Sequence, residues 1–159
     1  MSTARSLLGL LAWIAACFSA GALGSLFTTN SVADWYPQLT KPAWTPPSAV
    51  FGPVWSVLYL LMALAAWLVW RSRGFSGATL PLTLFAVQLL LNFAWSVIFF
   101  GLRLPGPAFA EIVLLWALIL ATLITFWRVI PLAGGLLLPY LAWVSFAAAL
   151  NLAIWRLNA

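Results

Sequence analysis

The sequence predicts an all-α integral membrane bundle of five transmembrane helices, with a long, ordered loop between helices 1 and 2. Three observations predict it. Hydrophobic residues make up 65% of the 159 positions and charged residues 6%, against about 25% charged in an ordinary soluble domain. Five apolar runs, at about 7–27, 48–70, 80–100, 107–127 and 132–155, each approach the roughly 20 residues that cross a hydrocarbon core. The cations Arg5, Lys41, Arg71, Arg73, Arg103, Arg128 and Arg156 fall at the ends of these runs, where they serve as interfacial anchors and topology signals. A backbone in lipid must satisfy its own hydrogen bonds, which a helix does within one segment. Residues 1–159 are therefore read as a single transmembrane domain.

Helix 1 begins like a secretory leader, with Arg5, an apolar stretch and Ala20-Gly21-Ala22, and Ile14-Ala15-Ala16-Cys17 imitates a lipoprotein cleavage box. The run continues to Phe27, longer than a signal core, so it is read as a retained span. Ala12, Ala16, Ala20 and Gly24 recur every four residues, a small-residue face for close helix approach, either within the bundle or at a dimer seam. The loop at 28–47 carries Trp35, Tyr36, Trp44, Pro37, Pro42, Pro46 and Pro47. Its aromatic content argues against disorder, and loops of that length are usually functional. A stiff cap with rings inserted into the bundle end is favoured over a belt lying on lipid headgroups.

Helix 2 places Trp55 and Tyr59 one turn apart. Arg71-Ser72-Arg73-Gly74 breaks the chain before helix 3, where Gln88, Asn92, Trp95 and Phe99 share one face. Helix 4 carries Glu111, which either bonds neighbouring polar groups or snorkels, and Trp116, expected to face lipid. Helix 5 carries Tyr140, Trp143, Ala147, Leu150 and Asn151 as a further stripe. The short loops between helices 2 and 5 make neighbours antiparallel. The positive-inside rule weakly places the N-terminus in the cytoplasm.

Composition removes much chemistry. There is no histidine, the only acidic residues are Asp34 and Glu111, and Cys17 is the single cysteine. A zinc site, a Ser-His-Asp triad, a glycosidase carboxylate pair and a disulfide each need residues this chain lacks. The one lysine, Lys41, sits in no phosphate-binding loop, and no basic stripe exists for nucleic acid. No metal site is expected and no cofactor is required.

What remains is ring-bearing and polar. The 11 tryptophans are more than an interfacial belt explains. Amides and indole N–H groups are costly in hydrocarbon unless paired, so the faces on helices 2, 3 and 5 should point inward. Any one of Gln88, Asn92 and Asn151 is accounted for by a bond across helices. Flat rings, a few donors and small residues such as Ala147 together describe a mostly apolar pocket with a few placed polar groups.

Trp35-Tyr36-Pro37-Gln38-Leu39-Thr40-Lys41-Pro42-Ala43-Trp44-Thr45-Pro46-Pro47, leading into Phe51-Gly52-Pro53-Val54-Trp55-Ser56, resembles the signature of the TspO/translocator (tryptophan-rich sensory protein) family. Gln88 to Ser96, and Pro139-Tyr140-Leu141-Ala142-Trp143 with Phe146-Ala147 and Leu150-Asn151, resemble that family's helix 3 and helix 5 motifs in order. The resemblance spans essentially the whole chain. It implies a five-helix bundle, often a homodimer, whose pocket is closed by the first long loop. The implied ligands are protoporphyrin or haem-like tetrapyrroles, with sterols and benzodiazepine-site drugs as further hydrophobic small molecules.

By resemblance the ligand-binding residues are Tyr36, Trp44, Trp55, Tyr59, Asn92, Trp95, Trp143, Phe146, Ala147 and Leu150, with Gln88 on the same face of helix 3. Some members are associated with light-dependent porphyrin degradation, for which Trp55 and Trp143 are the candidate electron donors. A receptor or sensor in a bacterial cell membrane is the resulting expectation. A transporter of porphyrins or sterol-like molecules is the alternative, weakened by the lack of an inverted repeat or broken helix pair.

Overall fold

The computed structural model describes residues 2–159. Five helical segments, Thr3–Asp34, Ser48–Gly77, Thr79–Gly101, Pro105–Val129 and Pro131–Asn158, are each long and apolar enough to span a bilayer. The protein is thus an all-helical integral membrane protein.

The helices are α1 (Thr3–Asp34), α2 (Phe51–Gly77), α3 (Thr79–Ser96), α4 (Pro105–Val129), α5 (Pro131–Gly135) and α6 (Leu138–Asn158). The fifth span is α5 and α6 together. Outside the 35–50 segment, each proline falls in the first turn of a helix: Pro53 in α2, Pro81 in α3, Pro105 and Pro107 in α4, Pro131 in α5 and Pro139 in α6. A first-turn N–H has no intrahelical partner, so proline there removes nothing and presets φ. The sequence uses proline to start its spans.

Two boundaries differ from the sequence reading. Residues 28–34, read as loop from their polarity, extend α1. Thr28 and Thr29 hydroxyls donate to the carbonyls of Gly24 and Ser25, and the Ser31 hydroxyl donates across to the Phe100 carbonyl. Those bonds hide the polarity that suggested a loop. The second span, read as ending near residue 70, runs on to Gly77, while the expected break at 71–74 is seen as Gly74 with φ 66°, ψ −175°, a backbone that a side chain would strain.

Neighbours run 1–2–5–4–3 around the bundle, and span 3 closes back on α1. Lipid tails are as apolar as leucine, so close fit holds such helices together. Gly9 lies against the Trp70 ring, and a Cβ at Gly21 would sit 2.5 Å from the Tyr59 ring. The contact face of α1 is therefore Gly9, Trp13, Cys17, Gly21 and Gly24. It is not the Ala12, Ala16, Ala20 and Gly24 face expected from fourfold spacing: Ala12 and Ala16 are exposed. Bulky partner rings, Trp70 and Tyr59, select the glycine face. In the half of the bundle away from the 35–50 segment, Met62, Phe85, Phe126 and Tyr140 are wholly buried and fill the interior.

Candidate ligand cavity beneath the cap

Residues 35–50 fold over one end of the bundle. Tyr36–Gln38 and Ser48–Val50 form single 3-10 turns. The Lys41 ammonium donates to the carbonyls of Tyr36 (2.7 Å), Pro37 (3.3 Å) and Leu39 (3.0 Å), and lies 4.9 Å from the Tyr36 ring centre. Thr40 N–H donates to Asn158 Oδ1 and Asn158 Nδ2 donates back to the Thr40 carbonyl, both at 2.9 Å, clamping the cap to the end of α6. Arg103 pairs with Asp34 at 3.0 Å, a half-exposed contact of small energetic weight. Burial pushes the Tyr36 phenol above its ordinary range.

Beneath the cap lies a cavity of about 610 Å³ bounded by α1, α2, α3 and α6, within the 300–1,000 Å³ range of small-molecule sites. Its wall includes Tyr36, Trp55, Tyr59, Asn92, Trp95, Trp143, Ala147 and Leu150. Trp55 stacks on Tyr59 with ring centres 5.5 Å apart, and Trp95 stacks on Phe99 at 5.1 Å. The cavity is thus faced with flat rings held by other rings.

A buried polar chain fixes them. Tyr59 Oη donates to Asn92 Oδ1 (2.6 Å), Asn92 Nδ2 donates to Tyr140 Oη (3.1 Å), and Tyr140 Oη donates to Gln88 Oε1 (2.8 Å). Nearer the cap, Trp95 Nε1 donates to Asn151 Oδ1 (3.0 Å) and Asn151 Nδ2 to the Pro105 carbonyl (2.7 Å). Asn92 and Asn151 each serve two bonds and so orient the aromatic wall at little net desolvation cost, whereas Gln88 serves one and among the described residues its buried Nε2 has no partner.

Three candidates lie off the cavity wall. Gln88 is buried one turn deeper and acts through Tyr140. Trp44 is half-exposed and packs edge-on against Phe146 at 5.7 Å, while Phe146 contacts Trp143 at 5.5 Å. Trp44 and Phe146 therefore back Trp143 from outside. Phe146 and Trp143 also border a separate, shallow, lipid-facing groove with Pro53 and Pro139. Trp116, expected to face lipid, is part-exposed and donates its N–H to the Ser145 hydroxyl of the neighbouring α6 at 2.7 Å.

Sequence reasoning missed the α1 wall, which includes Phe18, Gly21, Ser25, Thr28 and Thr29, and missed Phe100. The α1 signal was present as small and hydroxyl residues at helical spacing. Phe100 was hidden because α3 continues as a π-helical turn, Val97–Gly101, closed by Leu102 N–H donating to the Val97 carbonyl at 2.8 Å. That turn shifts register and brings both Phe99 and Phe100 to the cavity, their centres 4.8 Å apart.

Among the described residues, none of the cavity-lining side chains is charged, and no group of acidic, histidine or cysteine side chains could hold a metal ion. The arrangement can enclose a flat, largely apolar molecule and offer it a few hydrogen bonds. The sequence profile of the TspO/MBR family matches residues 13–156. The chain belongs to the TspO/MBR family. It is 40% identical to the tryptophan-rich protein TspO of Chlorobaculum tepidum over 97% of this chain and 98% of that protein. It is 44% identical to the human translocator protein over 86% and 82%, and 37% identical to the tryptophan-rich sensory protein of Cereibacter sphaeroides over 93% and 90%. Family membership covers all four walls of the cavity and the cap.

Proposed function

We propose that this TspO/MBR protein is a membrane receptor or sensor that binds tetrapyrroles of the protoporphyrin type, and other flat hydrophobic molecules, in the cavity beneath the cap. The observation that carries the reading is the enclosure of about 610 Å³ by stacked rings, Trp55 on Tyr59 and Trp95 on Phe99, with Trp143 on the same wall. Offset and edge-on contacts between aromatic planes favour a plate-shaped guest. Sensory and translocator names among its relatives are in keeping with such a role, and the near end-to-end match to the Chlorobaculum protein fits a bacterial cell membrane.

Binding is favoured over passage across the bilayer. The cavity occupies the capped end only, and Met62, Phe85, Phe126 and Tyr140 fill the bundle beyond it. A transporter needs a second opening on that side. The readout for binding is tryptophan fluorescence titrated with protoporphyrin in detergent-solubilised protein. Saturable quenching lost in Trp143→Ala and kept in Trp127→Phe, a substitution at an exposed indole, supports the reading. Quenching that rises linearly without saturation, or saturates identically in both variants, removes it.

Light-dependent degradation of the bound porphyrin belongs to the same proposal. Trp55 and Trp143 are oxidisable indoles on the cavity wall, and dioxygen would be the oxidant. Nothing in the residues supplies an acid–base route instead.

A further inference from the structure

Resting on the reading of the cavity as a ligand site, we infer that its ligands enter sideways from the bilayer, through a gap between the cap-side halves of α1 and α2 rimmed by Ala22, Ser25 and Thr29 on one side and Gly52 and Ser56 on the other. These five residues line the cavity and are exposed, and the cavity is part-open to the outside rather than sealed. Exposed wall residues of a part-open cavity mark its rim. All five fall within segments long and apolar enough to span the membrane, so the opening faces lipid.

The helix packing explains why the gap is there. In the half away from the cap, α1 and α2 are fastened together: Gly9 lies on the Trp70 ring, Trp67 Nε1 donates to the Ser6 carbonyl at 2.9 Å, and Gly21 abuts the Tyr59 ring. Beyond Gly21, α1 is held by span 3 instead. Gly24 meets Ser96, Phe27 packs on Phe93 at 6.1 Å and against Gly101, and the Ser31 hydroxyl bonds the Phe100 carbonyl. The α1 helix therefore changes partner at Gly21 and leaves the start of α2 without a close neighbour on that side. At Gly52 a Cβ would meet no atom within 4 Å.

The aqueous face is the harder route. A ligand entering through the cap would have to part the three carbonyl bonds of Lys41 and the paired bonds between Thr40 and Asn158. At the sideways opening no bond across the gap needs to break. The rim hydroxyls are turned onto their own helices, Ser25 to the Ala22 carbonyl (2.7 Å), Thr29 to Ser25 (2.8 Å) and Ser56 to Gly52 (2.9 Å). So satisfied, they cost little beside lipid chains and present mainly carbon to a passing molecule. The class of molecule that fits this route is flat, largely apolar and already dissolved in the bilayer.

The test uses the full chain in phosphatidylcholine vesicles, with protoporphyrin dimethyl ester as an uncharged probe and stopped-flow tryptophan quenching as the readout. Gly52→Phe and Ser56→Phe narrow the rim from positions that face open space or lipid. Either one should slow association and dissociation together by about a decade, the low end of the spread in kon among variants of one binding surface. Asn158→Ala, which frees Thr40 and loosens the cap, should leave both rates at the parent value. If both rim variants keep the parent rates, or lose affinity through faster dissociation alone, or if loosening the cap accelerates entry, the sideways route is wrong. Absence of saturable quenching in the parent protein overturns the ligand reading itself, a result distinct from normal binding at unchanged rates.

Discussion

Trp95 Nε1 donates to Asn151 Oδ1 at 3.0 Å, joining α3 to α6 at the cavity wall. Asn151 also holds the Pro105 carbonyl at the start of α4 through its Nδ2, so one buried amide ties three spans at the depth where Trp95 faces the cavity.

Asn151→Ala strands the Trp95 N–H and the Pro105 carbonyl together. Removing one partner from a buried hydrogen bond costs about 1–3 kcal/mol, and thermal unfolding in detergent should show a loss of that size. Asn151→Asp, which keeps the acceptor for Trp95, should retain more of its protoporphyrin affinity than Asn151→Ala.

Asn92 occupies the middle of the chain from Tyr59 to Gln88. Asn92→Leu breaks two bonds at once, whereas Tyr59→Phe breaks one. With bonds between membrane helices averaging about 0.6 kcal/mol, Asn92→Leu should lower stability more than Tyr59→Phe. In the double variant the effects should sum to less than the two singles, because both remove the Tyr59–Asn92 bond. Full additivity in chemical-denaturation curves would show that the two residues act separately.

The five spans were legible because hydropathy and first-turn prolines are properties of the sequence itself. The cap was legible from the density of tryptophan and proline between Trp35 and Pro47. What escaped was set by partners: residues 28–34 are helical because their hydroxyls find carbonyls, and α1 turns its glycine face inward because Trp70 and Tyr59 stand opposite. Phe100 reaches the cavity only through the π-helical turn, which no side-chain period announces. Gln88, Trp44 and Phe146 share helix faces or motifs with wall residues yet sit one layer behind them, a distinction that depth in the bundle makes and spacing does not.

Glu111 is the acidic residue inside α4, and among the described residues neither of its buried carboxyl oxygens has a hydrogen-bond partner. An unsatisfied buried polar group costs about 1–3 kcal/mol. Glu111→Leu, similar in volume, should therefore raise the unfolding temperature. A fall would show that the carboxyl finds a partner in the bilayer.

The cap should loosen as a unit. Lys41→Met removes three carbonyl bonds while keeping the apolar stem, and limited proteolysis of residues 36–50 should become faster. Equal cleavage rates in variant and parent would mean the ring contacts of Tyr36 and Trp44 hold the cap without the ammonium.

Illuminated protoporphyrin should disappear more slowly with Trp55→Phe and Trp143→Phe combined than with the parent, followed by porphyrin absorbance at matched occupancy. Identical rates would remove the indoles from the degradation step.

The most direct measurement is a crystal structure of the protein grown from lipid with protoporphyrin. The macrocycle should lie beneath the cap, between Trp95 on α3 and the Trp55 and Trp143 rings, with Lys41 still bound to its three carbonyls. A ring resting instead in the outer groove of Pro53 and Pro139, with the inner cavity empty, would contradict the assignment.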